Sequence, residues 1–201
     1  MSDVDSFVRF CESEFGTAVL DREAAYVKQH LSTDDRTLDV GCGIGSLEER
    51  FSDHEMIGVD RSETMIRTAR NRVSAPFVLG DATALPIATA SVDAIVFVST
   101  LEFIPDIGAV LAEATRVLDS DGTLVALVLN TRSEYVRSNL QREGSYFQRM
   151  VHRDSAAVAD AILEYVEGKQ EFFLGISDER VFESTDPSKA AISAVVGTPI
   201  A

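Results

Sequence analysis

Three glycines at alternate positions, Gly41, Gly43 and Gly45, follow the apolar run Arg36 to Val40. Glycine in such a place lets the backbone turn sharply and lets a ligand approach without meeting a Cβ. A helix expected over residues 46–52 would then turn free amides and the positive end of its dipole toward an anionic ligand group. Asp60 closes the second apolar run, 19 residues beyond Gly41, where a carboxylate can accept both hydroxyl hydrogens of a ribose. These features point to a cofactor that carries adenosine, bound at the carboxyl ends of strands. A dinucleotide fold wants G-x-G-x-x-G around a pyrophosphate. The chain has Asp39-Val40-Gly41-Cys42-Gly43-Ile44-Gly45 instead. Asp39, two residues before the first glycine, would repel a pyrophosphate and favour an ammonium group, directly or through water. A nicotinamide oxidoreductase is therefore disfavoured.

The elements that must position these residues are short apolar runs alternating with amphipathic stretches. Strands are predicted at Arg36 to Val40, Met56 to Val59, Phe77 to Leu79, Val92 to Val98 and Thr123 to Leu129, the last after an Asp121-Gly122 turn. Helices are predicted from Ser62 to Arg72, and after an Asp106 cap with Ile107, Val110, Leu111, Ala114 and Leu118 on one face. A further helix carries Val158, Ala161, Ile162, Tyr165 and Val166, with Gly168 as its stop, and strands near 171–176 and 191–196 close the chain. This alternation predicts an α/β fold: a doubly wound, Rossmann-like, largely parallel sheet with helices on both faces.

LDVGCGIGSL, GVDRSETMI, LGDATALPIATASVDAIVFVSTLEFIPD and EATRVLDSDGTLVALVLN follow one another between residues 36 and 130. In order and spacing they resemble four successive motifs of the class I S-adenosylmethionine-dependent methyltransferases. The resemblance is to the small-molecule "type 11" branch that includes ubiquinone and menaquinone methyltransferases. It implies a seven-stranded sheet whose last strand is antiparallel, and S-adenosylmethionine as cofactor. By the same resemblance Asp39, Gly41, Cys42, Gly43 and Gly45 would surround the cofactor's methionine portion, and Asp60 would hold the ribose. Arg61 and Met65 would lie by the adenine, with Asp81 and the Ala82 amide on its polar edge. Ser99 would stand near the transferring methyl. Plainer readings stand beside these: Asp81-Ala82 as a turn before Leu85-Pro86, Met65 as a core residue, and Arg61 as a solvated helix start. Many members of the family have histidine after the Leu101-Glu102 pair, where this chain has Phe103.

Methyl transfer from a sulfonium is an in-line displacement whose electrophile the cofactor supplies. The protein's task is alignment and exclusion of water. The chain is read as one domain: residues 1–33 as a helical lid, 34–130 as the cofactor core, 131–153 as a substrate-side lid and 154–201 as a closing helix and strands. Phe7, Phe10 and Phe15 in the first segment, and Tyr135, Tyr146, Phe147 and His152 in the third, would shield the acceptor or simply staple a surface segment to the sheet. Phe15, Glu102, Tyr146 and Phe147 are the substrate-side candidates, Glu102 having a surface acid as its alternative. His152 is the one imidazole that could act as acid or base there, with a capping role as its alternative. His30 and His54 read as surface residues. No metal-ligand spacing is present.

The chain has 33 acids against 18 bases, three of them lysine, for a net charge of −15. That charge repels nucleic acid and anionic lipid, leaving a small molecule, or a protein or peptide, as acceptor. No Asn/Asp-Pro-Pro-Tyr run follows the fourth strand, and neither cysteine lies in a Pro-Cys motif. A non-catalytic partner that binds the cofactor and regulates another subunit is the rival class. No apolar run spans a bilayer and the N-terminus lacks signal-peptide character, so a cytoplasmic protein is expected. Spread acids with few lysines also suit a high-salt cytoplasm. Cys11 and Cys42 are expected to be reduced, packed thiols.

Overall fold

In the computed structural model, which describes residues 3–200, eight strands form one sheet in the order β3-β2-β1-β4-β5-β8-β6-β7. Strands β1 (Arg36–Val40), β2 (Glu55–Asp60), β3 (Phe77–Leu79), β4 (Val92–Val98) and β5 (Leu118–Leu129) run parallel. The last strand, β8 (Ala190–Pro199), lies antiparallel between β5 and β6 (Val166–Ser177). The central strands are buried on both faces and alternate between them. Leu38, Ile95 and Phe97 pack with α4 (Ile107–Val117) and α6 (Ser155–Leu163), whereas Val96, Val125 and Leu127 pack with α2 (Glu14–Lys28).

Helix starts follow side-chain chemistry. Ser62 caps α3 (Glu63–Arg72) by accepting from the Met65 amide, and Asp106 caps α4 by accepting from the Ala109 amide. Ser13 likewise caps α2, which follows α1 (Asp3–Glu12), and Ser133 caps α5 (Glu134–Gln141). Because β1 is flanked by β2 on one side and β4 on the other, connections leave it in opposite directions. A crevice opens there at the carboxyl ends of the strands.

Several details depart from the sequence reading. Asp121-Gly122, expected as a turn, lies inside β5, and Leu118 and Val166, expected on helices, begin β5 and β6. A short strand, β7 (Arg180–Phe182), adds an eighth member at the sheet edge. The helix expected over residues 46–52 is instead a set of turns with a 3₁₀ turn at Glu48–Arg50. Arg50 Nη1 takes the Ser46 carbonyl at 2.9 Å, the acceptor an α-helix would offer to the Arg50 amide, which bonds to Leu47 O instead. Gly168 does not stop a helix: it lies in β6 opposite Gly197, where a Cβ would sit 2.2 Å from Val196 O. Residues 131–153 carry α5 and a 3₁₀ turn at Tyr146–Arg149, so the segment is folded rather than an open loop.

Candidate functional site

The glycine turn leaves β1 at the crevice. Gly41, Gly43 and Gly45 have φ of +84°, +56° and +80°, a region that costs any side chain-bearing residue about 1–2 kcal/mol. The amides of Gly41 and Cys42 both donate to Val59 O, at 2.7 and 3.1 Å, which ties the turn to the end of β2. A Cβ on Gly41 would lie 2.4 Å from the Thr100 side chain, and one on Gly45 would lie 2.9 Å from the Phe77 ring. At Gly43 the nearest such neighbour is a Phe7 ring carbon at 3.4 Å. Gly41 and Gly45 are thus demanded by packing, and Gly43 faces open space. That space is a cavity of about 60 Å³ whose wall includes Phe7, Glu23, Asp39, Gly41, Gly43 and Val98.

The second strand supplies Asp60. Its Oδ2 accepts from the Gly43 amide at 3.0 Å and its Oδ1 from the Ser62 amide at 2.8 Å, so one carboxylate joins the glycine turn to the start of α3. Arg61 is exposed and Met65 half-buried, while Ile66 and Ala69 form the buried face of α3. Asp81 is exposed, and its Oδ1 accepts from the Thr83 amide and hydroxyl at 2.9 and 2.7 Å. Those bonds hold its carboxyl below the usual range. Asp81-Ala82 therefore does form a turn, with Oδ2 left outside it. Ser99 ends β4 with φ of +47° and donates its amide to Leu127 O at 2.8 Å.

Two groups of buried acids adjoin this cavity, which Asp39 lines in the first and Glu23 in the second. In the first, Asp39 is 2% exposed and its Oδ1 has no hydrogen-bond partner. Burial raises its carboxyl well above the ordinary value, and the charges of Glu48 and Asp60 push the same way. Glu48 is buried with neither carboxylate oxygen hydrogen-bonded, and burial pushes it up to about 7. The Cys42 thiol is raised first by burial and then by the charges of Asp39, Glu48 and Asp60. Cys11 and Cys42 are both buried, free thiols.

The second group is Glu23 and Glu102. Glu102, expected as a surface acid or a substrate contact, is not on the surface: it is completely buried. Its Oε1 accepts from the Leu129 amide at 2.9 Å, and its Oε2 has no partner. Its main-chain carbonyl accepts the amides of Val151 and His152, which draws the end of the 131–153 segment onto the tip of β4. Glu23, on α2, has no hydrogen bond or ion pair among the described residues and is pushed up to about 8, first by burial and then by the charge of Glu102. Sequence reasoning missed it, although Val19, Glu23, Ala24 and Val27 share one helical face and the acid stands inside an apolar stripe. Glu48 was missed because the expected helix would have left it as an ordinary polar residue.

The aromatic candidates join into one run. Phe7 and Phe10 stack at 6.4 Å, Phe10 and Phe15 meet edge-on at 6.1 Å, Phe15 and Tyr135 at 6.1 Å, and Tyr135 and Phe147 at 6.0 Å. The two segments expected to act as lids are therefore in ring-to-ring contact. Tyr146 lies apart from that run, exposed, with its ring 4.9 Å from Phe103. His152 does not line the cavity, and its Nε2 lies 2.9 Å from Ile104 O and 3.2 Å from Pro105 O. His54 is not a surface residue: its side chain is 5% exposed and meets the Phe51 ring edge-on. His30, also expected on the surface, is half-buried beside Tyr26. Among the described residues no group of His, Cys, Asp and Glu is arranged to hold a metal, and no helix is long and apolar enough to cross a membrane.

Sheet order, glycine turn and acid-tipped second strand define a nucleotide-cofactor fold of the methyltransferase kind. Residues 38–126 match the family model described as "Methyltransferase domain". S-adenosylmethionine is the cofactor of this class of domain. The chain is similar to the demethylmenaquinone methyltransferase of Roseiflexus castenholzii, 36% identical over 124 residues that cover 58% of this chain and 51% of the relative. It spans about half the length of the curated relatives it matches. Among solved structures, a Thermotoga maritima protein described as a SAM-dependent methyltransferase, "possible histamine N-methyltransferase", superposes with a TM-score of 0.83. It is 23% identical, and the match covers 98% of this chain and 95% of that one. A chain from a complex of a methyltransferase with the Trm112 methyltransferase activator of Haloferax volcanii shares the fold at a TM-score of 0.69. It is 19% identical, with 100% and 99% covered.

Proposed function

We propose that this chain transfers the methyl group of S-adenosylmethionine to a small-molecule acceptor. The observation that carries the reading is the pairing of two features in one cavity: the partnerless, buried Oδ1 of Asp39 and the bare backbone of Gly43. A buried carboxylate oxygen with no donor is costly unless a ligand supplies one. An ammonium group does so, and the methionine portion of the cofactor carries one. The residues present thus fit the cofactor. Asp39 would hold the ammonium, Gly41 to Gly45 would flank the methionine portion, and Asp60 would take the ribose hydroxyls on lone pairs its two amide donors leave free. Arg61, Met65, Asp81 and Ala82 would border the adenine. When bound, the cofactor supplies an electrophilic methyl on a positively charged sulfur.

The protein's share is position and dryness. Ser99, held at positive φ at the tip of β4, would border the methyl, and the ring run from Phe7 to Phe147 would keep water from the acceptor. The cavity of about 60 Å³ is smaller than the ~300 Å³ lower end of ligand pockets, so Phe7 and α1 would yield to admit the cofactor. His152 would serve as a strut through its two carbonyl contacts rather than as acid or base. A small acceptor is supported by the names of the relatives, which act on a quinone precursor in one case and are linked to histamine in another. The test is calorimetry with S-adenosylhomocysteine, followed by methyl-labelled cofactor and a metabolite extract. Binding with label transfer to a small molecule is expected. A folded protein that binds neither cofactor nor product at any salt concentration would overturn the reading.

A further inference from the structure

We infer that the acceptor half of the site recognises a protonated amine on a small apolar or aromatic molecule, with Glu23 backed by Glu102 as its counter-charge. This rests on the methyl-transfer reading and names the substrate class for it.

The cavity over the glycine turn is shared between two acid groups. Asp39 is acted on by Glu48 and Asp60, and Glu23 by Glu102 and, in the opposite sense, by Arg50, while Asp39 and Glu23 line one space. Asp39 is sufficient for the one ammonium that the cofactor brings. Glu23 remains: 5% exposed, lining the cavity, with neither a hydrogen bond nor an ion pair. Behind it Glu102 keeps one oxygen on the Leu129 amide and holds the other without a partner, fully buried. In the empty protein burial opposes the ionised form of both carboxyls; the Arg50 guanidinium also acts on Glu23, but it is hydrogen-bonded to Asp21 and to Ser46 O. A ligand cation relieves both at once.

The neighbouring surface suits an organic cation. Beyond Phe7, which lines the cavity, the ring run continues through Phe10 to Phe15 and Tyr135, and Tyr135 meets both Phe15 and Phe147 edge-on. Ring faces attract cations and apolar bodies together. A neutral quinol or a carboxylic acid would gain nothing from Glu23; a carboxylate would be repelled.

The chemistry closes without a further reagent. The bound ammonium gives one proton to the Glu23 carboxylate, which frees the nitrogen lone pair. That pair forms the new N–C bond to the methyl while the S–C bond breaks and its electrons stay on sulfur. The positive charge passes from sulfonium to the methylated nitrogen, and Glu23 returns its proton to solvent as product leaves. A carboxyl with a value near 8 can both accept and release that proton at neutral pH.

The experiment compares phenethylamine with 2-phenylethanol, which differ in charge and little in shape. Each is titrated into the protein alone and into the protein saturated with S-adenosylhomocysteine, by calorimetry and by thermal shift. The amine is expected to bind at least tenfold more tightly than the alcohol. The same measurements are made on Glu23→Gln and Glu102→Gln. E23Q removes charge from a side chain with no hydrogen bond to lose, and E102Q keeps an acceptor for the Leu129 amide, so both should fold. E23Q is expected to lose the preference for the amine while holding S-adenosylhomocysteine as wild type does. E102Q is expected to weaken the preference by a smaller factor. Equal binding of amine and alcohol, or no binding of either, would overturn the inference, as would an amine preference that survives in E23Q. A loss of S-adenosylhomocysteine affinity in E23Q would also overturn it, by assigning Glu23 to the cofactor. Wild-type protein that selects the amine yet never binds S-adenosylhomocysteine would sink the methyl-transfer reading and leave the amine site standing.

Discussion

The two ends of the proposed site, one for cofactor and one for acceptor, are built by different means. The cofactor end is local: β1, its glycine turn, β2 and the start of α3 lie within residues 36–72, and one carboxylate, Asp60, bonds the turn amide of Gly43 to the cap region of α3. The acceptor end is assembled from afar. Glu23 comes from α2, Glu102 from the 3₁₀ turn Leu101–Phe103 that follows β4, Tyr135 from α5 and Phe147 from the 3₁₀ turn beyond it. Local construction fixes geometry through backbone bonds and positive-φ glycines, where any side chain is strained. Distant construction fixes geometry through ring contacts and buried carboxyls, which can be exchanged one at a time. A family can therefore keep its donor while changing its acceptor.

The sharpest way to test that contrast lies within the glycine turn itself. Gly41→Ala drives a Cβ into Thr100 and adds the cost of positive φ, so a loss of about 2–4 kcal/mol of stability is expected. Gly43→Ala meets only the Phe7 ring edge and is expected to lose about 1–2 kcal/mol, from φ alone. Its larger effect should fall on S-adenosylhomocysteine affinity. Urea denaturation and calorimetry on both variants would separate the two roles; equal stability losses would erase the distinction between a packing glycine and a ligand-facing one.

Next in size is Asp60→Ala. Removing a charged acceptor should weaken cofactor binding by roughly 1.5–3 kcal/mol. Because Asp60 also holds the Gly43 and Ser62 amides, a modest stability loss should accompany it. Unchanged affinity in a folded variant would remove Asp60 from the ribose.

The buried acids predict a pH signature. Glu23 is raised to about 8, Glu48 to about 7 and Glu102 to about 7, all above the ordinary value of an unfolded glutamate. Between roughly pH 4.5 and 8 the folded chain then holds protons that the unfolded chain has released, so stability falls as pH rises through that window. Their stabilising share is complete below about pH 4.5 and gone above about pH 8. Urea midpoints should decline from pH 5 to 8, and Glu48→Gln should flatten part of the slope. A midpoint that rises across the window would show these carboxyls to be ionised and paired in the native protein.

The difference between the two ends also explains what the sequence made legible. Strand β1, the caps at Ser62 and Asp106, and α4 could be read because each depends on neighbours within a few residues. The parallel sheet and the antiparallel last strand followed from alternation and from family resemblance. The helix expected at residues 46–52 is a 3₁₀ turn instead, the Arg50 amide bonding to Leu47 O while its side chain takes Ser46 O. Glu102 was misplaced because its burial depends on Leu129 and on the 151–152 amides, which are distant in sequence. Gly168 was misread for the same reason, its constraint being a cross-strand neighbour at Val196 and not a helix end. Glu23 was legible in principle, as an acid on an apolar helical stripe, but a stripe reports burial and not the cavity it borders.

His152 gives a smaller and cleaner test at the seam between the two ends. Its Nε2 reaches the Ile104 and Pro105 carbonyls just after Glu102, and its own amide donates to Glu102 O. As a strut, His152→Ala should lose about 0.5–1.5 kcal/mol of stability, the net worth of a hydrogen bond. The maximal rate of methyl transfer should change little, and its pH profile should keep its shape. Loss of one limb of that profile, with stability unchanged, would return the imidazole to acid–base chemistry.

The smallest expected effect concerns the surface that both ends share. With a net charge of −15, self-repulsion among exposed acids opposes the compact state. The ion pairs, such as Arg22–Glu183 and Arg36–Asp93, are largely exposed and contribute little to offset it. Salt screens distant like charges and these short pairs together, but the excess of acids makes the repulsive sum the larger. Melting temperature should therefore rise by a few degrees between about 0.05 M and 1 M potassium chloride, since ~1 kcal/mol shifts a domain of this size by about 2–4 °C. The buried acids at both ends of the proposed site are poorly screened, so the E23Q and E48Q proteins should show the same salt increment as wild type. A salt response that disappears in either variant would place the dominant repulsion inside the site and not on the surface.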